Sequence, residues 1–330
     1  MSDDLYSAES RLTTNGCIDL RRGLAALPFA LSVIGKGGSL WYSPRVSQAS
    51  STAPAGVSVS SDQSLLLLIP AYNEEQRIEP MLREYAEYFR REYHGPFRIY
   101  VVLNGCVDDT IGVVRRVAKE FPEINWIEFP GRIGKGGALI EGLKLAGQAD
   151  LIGYVDADGA TAPKDFHDLV KRIDEAHCVI ASRWLPGAVL HQSQSGERRF
   201  ASRLFHGAVQ LFFWMNIADT QCGAKVLRRE AVERIHSSLR LADLAFDINL
   251  LYSLKAADFT ILELPTVWTD KAGSKVSFNA KTSLNMLLSI VRLRLLYSPF
   301  YKYLKPLRPL ETWIYLKLNA PPPRSGAVDH

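Results

Sequence analysis

Leu65-Leu66-Leu67-Leu68-Ile69-Pro70-Ala71-Tyr72-Asn73-Glu74-Glu75-Gln76-Arg77-Ile78 is the stretch that decides the fold. Its first five residues are apolar without alternation, the pattern of a strand covered on both faces. An amphipathic helix follows, with Ile78, Met81, Leu82, Tyr85, Tyr88 and Phe89 on one face. Asn73 and Gln76 read as its N-cap and N3 pair, with Glu74 and Glu75 in the positive first turn. The same unit recurs along the chain. Phe97–Leu103, Ile124–Phe129, Leu151–Val155 and Cys178–Ala181 are short apolar runs separated by helical patterns. The chain is therefore α/β, a mostly parallel sheet flanked by helices. In such sheets ligands bind beyond the carboxyl ends of the strands.

The flanks read differently. Residues 1–63 form a poorly structured lead, Ser-, Ala- and Pro-rich over 43–64. Arg21-Arg22 before the apolar run Leu24 to Ile34 resembles the start of a signal peptide, but it lies too far inside the chain and contains Pro28. A helix touching a membrane or partner, or a misplaced start, suits it better. The sheet pattern defines a catalytic domain over 64–280, and 281–330 is a basic, amphipathic membrane-interface segment and tail. Of the net charge of +4, the 60 residues from Lys271 onward carry +8 and the rest −4. Thr282 to Tyr297 is apolar apart from Arg292 and Arg294, and Phe300, Tyr301, Tyr303 and Trp313 follow among lysines. That pattern suits a helix lying in a lipid interface; a helix docked on the sheet is the alternative. No nucleic-acid-binding motif accompanies the charge. No apolar run reaches the roughly 18 residues of a membrane span. The four cysteines lack zinc-ribbon spacing and suit a reducing compartment.

The sharpest chemical feature is Asp156-Ala157-Asp158, directly after an apolar strand. If extended geometry continues, the two carboxylates face one point, and hard oxygen donors suit Mg²⁺ or Mn²⁺ that also binds phosphate. Acids also cap many strand ends, so the motif gains weight from its placement. The second feature is Gly131-Arg132-Ile133-Gly134-Lys135-Gly136-Gly137-Ala138, a glycine-rich turn opening a helix, whose N–H groups and cations favour phosphate. It matches neither a Walker A loop nor the dinucleotide fingerprint.

Together with Ile69-Pro70-Ala71-Tyr72-Asn73-Glu74-Glu75, Asp219-Thr220-Gln221-Cys222-Gly223-Ala224-Lys225, Phe246-Asp247 and Gly273-Ser274-Lys275, these segments resemble the family 2 glycosyltransferases that charge polyprenyl phosphates. The dolichyl-phosphate β-glucosyltransferase branch comes first and dolichyl-phosphate mannose synthases next. The resemblance covers roughly Leu65 to Tyr303. It implies a GT-A-like fold and inverting transfer of a hexose, glucose favoured, from a nucleoside-diphosphate sugar, UDP-glucose favoured. The implied acceptor is a polyprenyl or dolichyl phosphate, and the enzyme would sit peripherally on the cytoplasmic face of a membrane. Pro70, Ala71, Tyr72, Glu74, Asn104, Lys135, Asp156 and Ala157 would bind the nucleotide sugar, with Lys135 near base or ribose. Asp156 and Asp158 would hold the metal. Asp247, Asp158 and Gln221 would serve catalysis, and Arg183, Arg198, Ser202 and Lys275 the acceptor phosphate. Arginines lying along a surface helix are the plainer reading of Arg198 and its neighbours.

One departure stands out. The family usually has Asp-Asp-Gly-Ser after the second strand, where this chain has Leu103-Asn104-Gly105-Cys106, so a base-reading carboxylate becomes an amide that donates and accepts.

A phosphomonoester with a second pKa of about 6 is already largely anionic and hardly needs a base. A sugar hydroxyl would need one, with Asp247 the candidate. Mannosyl transfer from GDP-mannose and transfer to a carbohydrate hydroxyl are accordingly the alternatives. A nucleotidyltransferase lacks its glycine-rich start here, and a non-catalytic relic fits poorly with intact acids. A homo-oligomer is left open.

Overall fold

Strands β1 (Leu65–Ala71), β2 (Phe97–Asn104), β3 (Ile124–Phe129), β4 (Leu151–Tyr154), β5 (Cys178–Ser182), β7 (Lys225–Arg228) and β8 (Ile261–Pro265) form one seven-stranded sheet. Its order is β3-β2-β1-β4-β7-β5-β8, and β6 (Val189–Leu190) pairs separately with β9 (Val267–Trp268). The helices are α1 (Ile78–Glu92), α2 (Thr110–Glu120), α3 (Gly134–Leu143), α4 (Pro163–Lys171), α5 (Gly196–Phe213), α6 (Arg229–Ile235) and α7 (Phe246–Ala256). The computed structural model describes residues 63–190, 196–239, 245–269, 288–295 and 297–298, with backbone alone over 196–204. The readings made of 1–62, of Lys275 and of most of 281–330 lie outside the described residues.

The leucine run behaves as its pattern predicts. Leu65, Leu67, Ile69 and Ala71 pack on one face of the sheet with α1, α2 and α4, and Leu66 and Leu68 pack on the other with α3, α6 and α7. Each such side chain contributes roughly 1.5–3 kcal/mol of burial, which is why the run has no polar alternation. β1 pairs in parallel with both β2 and β4. The chain steps from β1 outward to β2 and β3, then returns to β4 on the other side. The crevice above the carboxyl ends of β1 and β4 is thus a topological switch point. β7 runs antiparallel between β4 and β5, so its first residue, Lys225, stands at the end of the sheet where β4 and β5 finish.

Two local expectations are corrected. α1 begins at Ile78, not after Asn73, and no side chain caps it. Asn73 adopts φ 55° and its Oδ1 accepts the Val107 N–H at 2.8 Å, so its side chain serves a turn between loops. Glu74 and Glu75 precede the helix; the Glu74 carbonyl accepts the Arg77 and Ile78 N–H groups, both at 2.9 Å. The second correction concerns β4, which ends at Tyr154, so extended geometry does not carry through to the acids. Residues 157–158 form a turn instead, with Gly159 at φ 68°.

The helical stretch 288–295 buries Ile290 and Leu293 in the same core as α7 and exposes Leu288, Val291 and Leu295. The docked-helix reading and the exposed apolar face therefore both apply, on opposite sides of one helix. Among the described residues no helix is long and apolar enough to cross a membrane.

Candidate active site

Of the residues singled out from sequence, Ala71, Tyr72, Asn104, Asp156 and Asp158 lie at or just past the carboxyl ends of β1, β2 and β4. Ala71 is buried at the end of β1, and the Tyr72 ring lies under the Arg132 guanidinium at 4.6 Å. Asn104 ends β2 and is buried. Its Oδ1 accepts the Ile133 N–H at 2.6 Å and the Gly134 N–H at 3.1 Å. The amide oxygen thus ties the glycine-rich turn to the sheet, and these two N–H groups, expected to be open for phosphate, are occupied. Gly105 makes this close approach feasible: at φ 64°, a Cβ there would lie 2.6 Å from the Arg132 nitrogen.

Lys135 opens α3 beside Gly134. Its Nζ lies 2.6 Å from Asp156 Oδ1 and 3.9 Å from Asp247 Oδ2. The structure therefore places this ammonium among acids. Asp158 Oδ1 accepts the Ala160 N–H at 3.0 Å. Burial first, and the Asp156 charge second, push the Asp158 carboxyl above its ordinary range. The acids are close enough to repel and favour an added cation. They are the wrong kind of cluster for a fully protein-bound metal: among the described residues no three His, Cys, Asp or Glu converge. They do fit Mg²⁺ or Mn²⁺, which commonly takes one or two carboxylates and completes its shell with phosphate oxygens and water.

Asp247 lies in the first turn of α7 with its side chain 4% exposed. Lys225 Nζ and the Tyr154 hydroxyl both donate to its Oδ1 at 2.6 Å. Lys225 is fully buried and also donates to the Cys222 carbonyl at 2.6 Å. Burial alone would raise the Asp247 carboxyl, but Lys225, Lys135 and the two hydrogen bonds outweigh it and hold it below the usual range. It is thus a committed anion and a poor proton acceptor.

Arg183, just after β5, is bidentate to Asp219, with Nε to Oδ2 at 2.7 Å and Nη2 to Oδ1 at 2.9 Å. Its guanidinium lies 5.0 Å from the Trp268 ring centroid. Asp219 Oδ1 also accepts the Gln221 N–H, while the Gln221 Nε2 is buried without a partner among the described residues. Arg198 and Ser202 both fall within α5, as a helix starting near Arg198 requires.

Reading the sequence missed Lys225, Tyr154 and Arg77 as site residues. Lys225 carried one signal, a lysine opening the apolar run Val226-Leu227. Arg77 holds both oxygens of Glu74 at 2.8 Å and lowers the Asp158 carboxyl slightly by its charge.

Residues 67–236 match the family model described as Glycosyl transferase family 2. The chain belongs to that family. Its relatives include glycosyltransferase AglD of Haloferax volcanii, 32% identical over 231 residues that make up 69% of this chain and 35% of AglD. Dolichyl-phosphate beta-glucosyltransferase ALG5C of Trichomonas vaginalis is 30% identical over 240 residues, 70% of each chain. The human dolichyl-phosphate beta-glucosyltransferase is 31% identical over 255 residues, 72% of this chain and 77% of that one. The chain thus spans about a third of AglD and about seven-tenths of ALG5C.

The fold is GT-A-like. Glucosyl-3-phosphoglycerate synthase from Mycobacterium tuberculosis, in complex with Mn²⁺ and UDP-glucose, superposes with a TM-score of 0.52 at 17% identity, covering 71% of this chain and 78% of that one. Mannosyl-3-phosphoglycerate synthase from Rubrobacter xylanophilus gives 0.52 at 15% identity, with 76% and 75% covered. At these identities the likeness speaks for the fold alone.

Proposed function

We propose that this family 2 glycosyltransferase moves glucose from UDP-glucose to a polyprenyl phosphate, with Asp156 and Asp158 holding Mg²⁺ or Mn²⁺. The observation that carries the reading is the acid pair at the β4 end of the switch point, in a chain whose relatives include dolichyl-phosphate β-glucosyltransferases. A divalent ion there would supply Lewis-acid stabilisation of the departing diphosphate. Ala71, Tyr72 and the turn held by Asn104 form the nucleotide side. Gln221, whose side-chain Nε2 has no partner among the described residues, offers a donor to sugar or phosphate oxygen. Arg183 is already matched by Asp219, so it contributes a fixed fork and not a free cation. Arg198, Ser202 and Lys275 are the remaining acceptor-phosphate candidates.

Asp247 argues for a phosphate acceptor over a hydroxyl. A carboxylate held below its ordinary range by Lys225 and Tyr154 is ill suited to deprotonate an alcohol, and a phosphomonoester needs no such help. The lipid reading also draws on the exposed apolar residues Leu211, Trp214, Leu288, Val291 and Leu295. They lie on or just after helices whose inner faces share one core with α7, and together with the excess of Lys and Arg from Lys271 onward they support our placing the enzyme peripherally on the cytoplasmic face of a membrane.

The test is transfer of labelled sugar into the lipid phase, using full-length protein, Mg²⁺ or Mn²⁺, a short polyprenyl phosphate, and either UDP-glucose or GDP-mannose. Transfer from UDP-glucose that Asp158→Ala abolishes supports the proposal. Transfer from GDP-mannose alone changes the donor, and no lipid product from either donor despite normal nucleotide binding sinks the acceptor.

A further inference from the structure

Lys135 stands between two acids of unlike exposure. Asp156, 28% exposed, is one of the two carboxylates of the proposed metal pair; Asp247, 4% exposed, is clamped by Lys225 and Tyr154. The ammonium sits 2.6 Å from Asp156 Oδ1, the distance of a strong charge-assisted contact. A divalent cation on that oxygen repels the ammonium and competes with it for the same lone pairs, so each weakens the other's hold there.

Resting on the metal reading above, we propose that Lys135 is a resident counter-ion of Asp156, which yields the oxygen to the divalent cation and crosses to Asp247. Asp247 is built to receive it. Its Oδ1 is engaged by two donors, while Oδ2 faces the Lys135 ammonium at 3.9 Å. A full contact is about 2.7–2.9 Å, so a rotation within the flexible four-carbon stem closes the gap. The Lys225–Asp247–Tyr154 assembly is then a positioning device. Lys225 and Tyr154 fix one oxygen of the acid and leave the other aimed at the lysine. The consequence is a site that resists free divalent ions, since each must displace a tethered cation. A nucleotide diphosphate, bringing its own oxygen ligands, tips the exchange.

The experiment is Mn²⁺ binding by full-length protein without sugar nucleotide, followed by the paramagnetic resonance signal of free Mn²⁺. Lys135→Met and the near-isosteric Lys135→Gln are compared with wild type, with thermal melts confirming that each is folded. Removing one charge-assisted competitor, worth tenfold or more in affinity, should tighten Mn²⁺ binding by at least about tenfold in both variants. Asp158→Ala should abolish binding in every background. Asp247→Asn should weaken Mn²⁺ binding in wild type, where the displaced lysine loses its destination, and leave the Lys135→Met affinity unchanged.

Unchanged or weaker binding in the Lys135 variants, with Asp158→Ala still abolishing it, overturns the counter-ion role while leaving the metal site standing. An equal effect of Asp247→Asn in both backgrounds overturns the crossing. Absence of Mn²⁺ binding in all proteins, even with UDP present, removes the metal reading and this inference with it.

Discussion

Lys225 Nζ donates to Asp247 Oδ1 at 2.6 Å from a position wholly withdrawn from water. A buried pair of this kind contributes little net stability over an apolar replacement, but breaking it leaves one charge stranded. Lys225→Met strands Asp247 and is expected to cost about 3–5 kcal/mol. Combining it with Asp247→Leu should recover part of that loss, the remainder reflecting the Tyr154 hydroxyl and Cys222 carbonyl left without these partners, while transfer is abolished because the double variant lacks the acid that faces Lys135. Denaturant melts and the lipid-transfer assay on the single and double variants check both halves. A double variant as unstable as the single would show that packing, not charge, governs the site.

The Asn104 oxygen holds the turn before α3 through two backbone N–H groups. Asn104→Ala is therefore expected to destabilise the fold by roughly 0.5–1.5 kcal/mol, the net worth of hydrogen bonds lost by partly buried donors. It should also weaken UDP binding by loosening the turn under Lys135. Asn104→Asp keeps the acceptor and adds negative charge near a helix N-terminus, so it should hold both stability and affinity. Calorimetric titration with UDP alongside thermal melts distinguishes the two substitutions; equal loss in both would show that the Asn104 amide nitrogen, and not its oxygen, matters.

The Arg183–Asp219 fork carries a pH signature. Burial raises the Asp219 carboxyl, but the bidentate arginine and the Arg183 N–H outweigh it, and the net shift is downward. A depressed folded value stabilises the fold above the unfolded carboxylate pKa, about 3.9, and that contribution is lost as pH falls through the folded value. Wild type should thus exceed Asp219→Asn in Tm by a constant margin above about pH 5, with the margin shrinking below about pH 4. A margin independent of pH down to the acid limit would show that Asp219 acts by hydrogen-bond geometry and not by charge.

Much of this was legible in the chain because both sheet faces are covered. Strands β1, β4 and β5 announced themselves as short apolar runs and β2 and β3 as mainly apolar ones, and the acid pair, the glycine-rich turn and Lys135 followed from where those runs end. β7 did not. Its four residues begin with Lys225 and end with Arg228, and charged ends on so short a run mask a central strand. Tyr154 read as one more apolar strand residue, since its acidic partner lies 93 positions away. The capping box at Asn73 failed for a related reason. A short polar side chain takes whichever backbone donor comes nearest, and here that was Val107 across a loop, not the next turn of helix.

Leu288, Val291 and Leu295 share one exposed face of the stretch 288–295, and Trp214, 77% exposed, follows the end of α5. If this surface meets lipid, Trp214→Ser with Leu295→Ser should lower binding to vesicles of anionic phospholipid severalfold and leave UDP affinity unchanged. Each apolar side chain withdrawn from the interface forfeits on the order of 1–2 kcal/mol. Flotation with vesicles of neutral and of anionic lipid separates the apolar from the electrostatic part. Equal flotation of the variant and wild type on both would remove this surface from the membrane reading.

Gly223 supplies a steric test of the acid pair. A Cβ built there would fall 2.1 Å from Asp156 Oδ2, so even alanine must drive that carboxylate out of its place. Gly223→Ala is expected to lose metal-dependent transfer by at least about a hundredfold, since about 1 Å of misplacement costs on that order. The neighbouring core should survive, because Asp156 is partly exposed and can swing toward solvent. Gly147→Ala is the matched control, as nothing lies within 4 Å of its Cβ. Both variants are assayed for lipid product, for Mn²⁺ binding and for Tm. Loss of transfer and of Mn²⁺ affinity in Gly223→Ala alone, with both melts near wild type, would locate the defect at Asp156. Full activity in Gly223→Ala would mean that the carboxylate works from a second position, and that its contact with Lys135 is dispensable to the reaction.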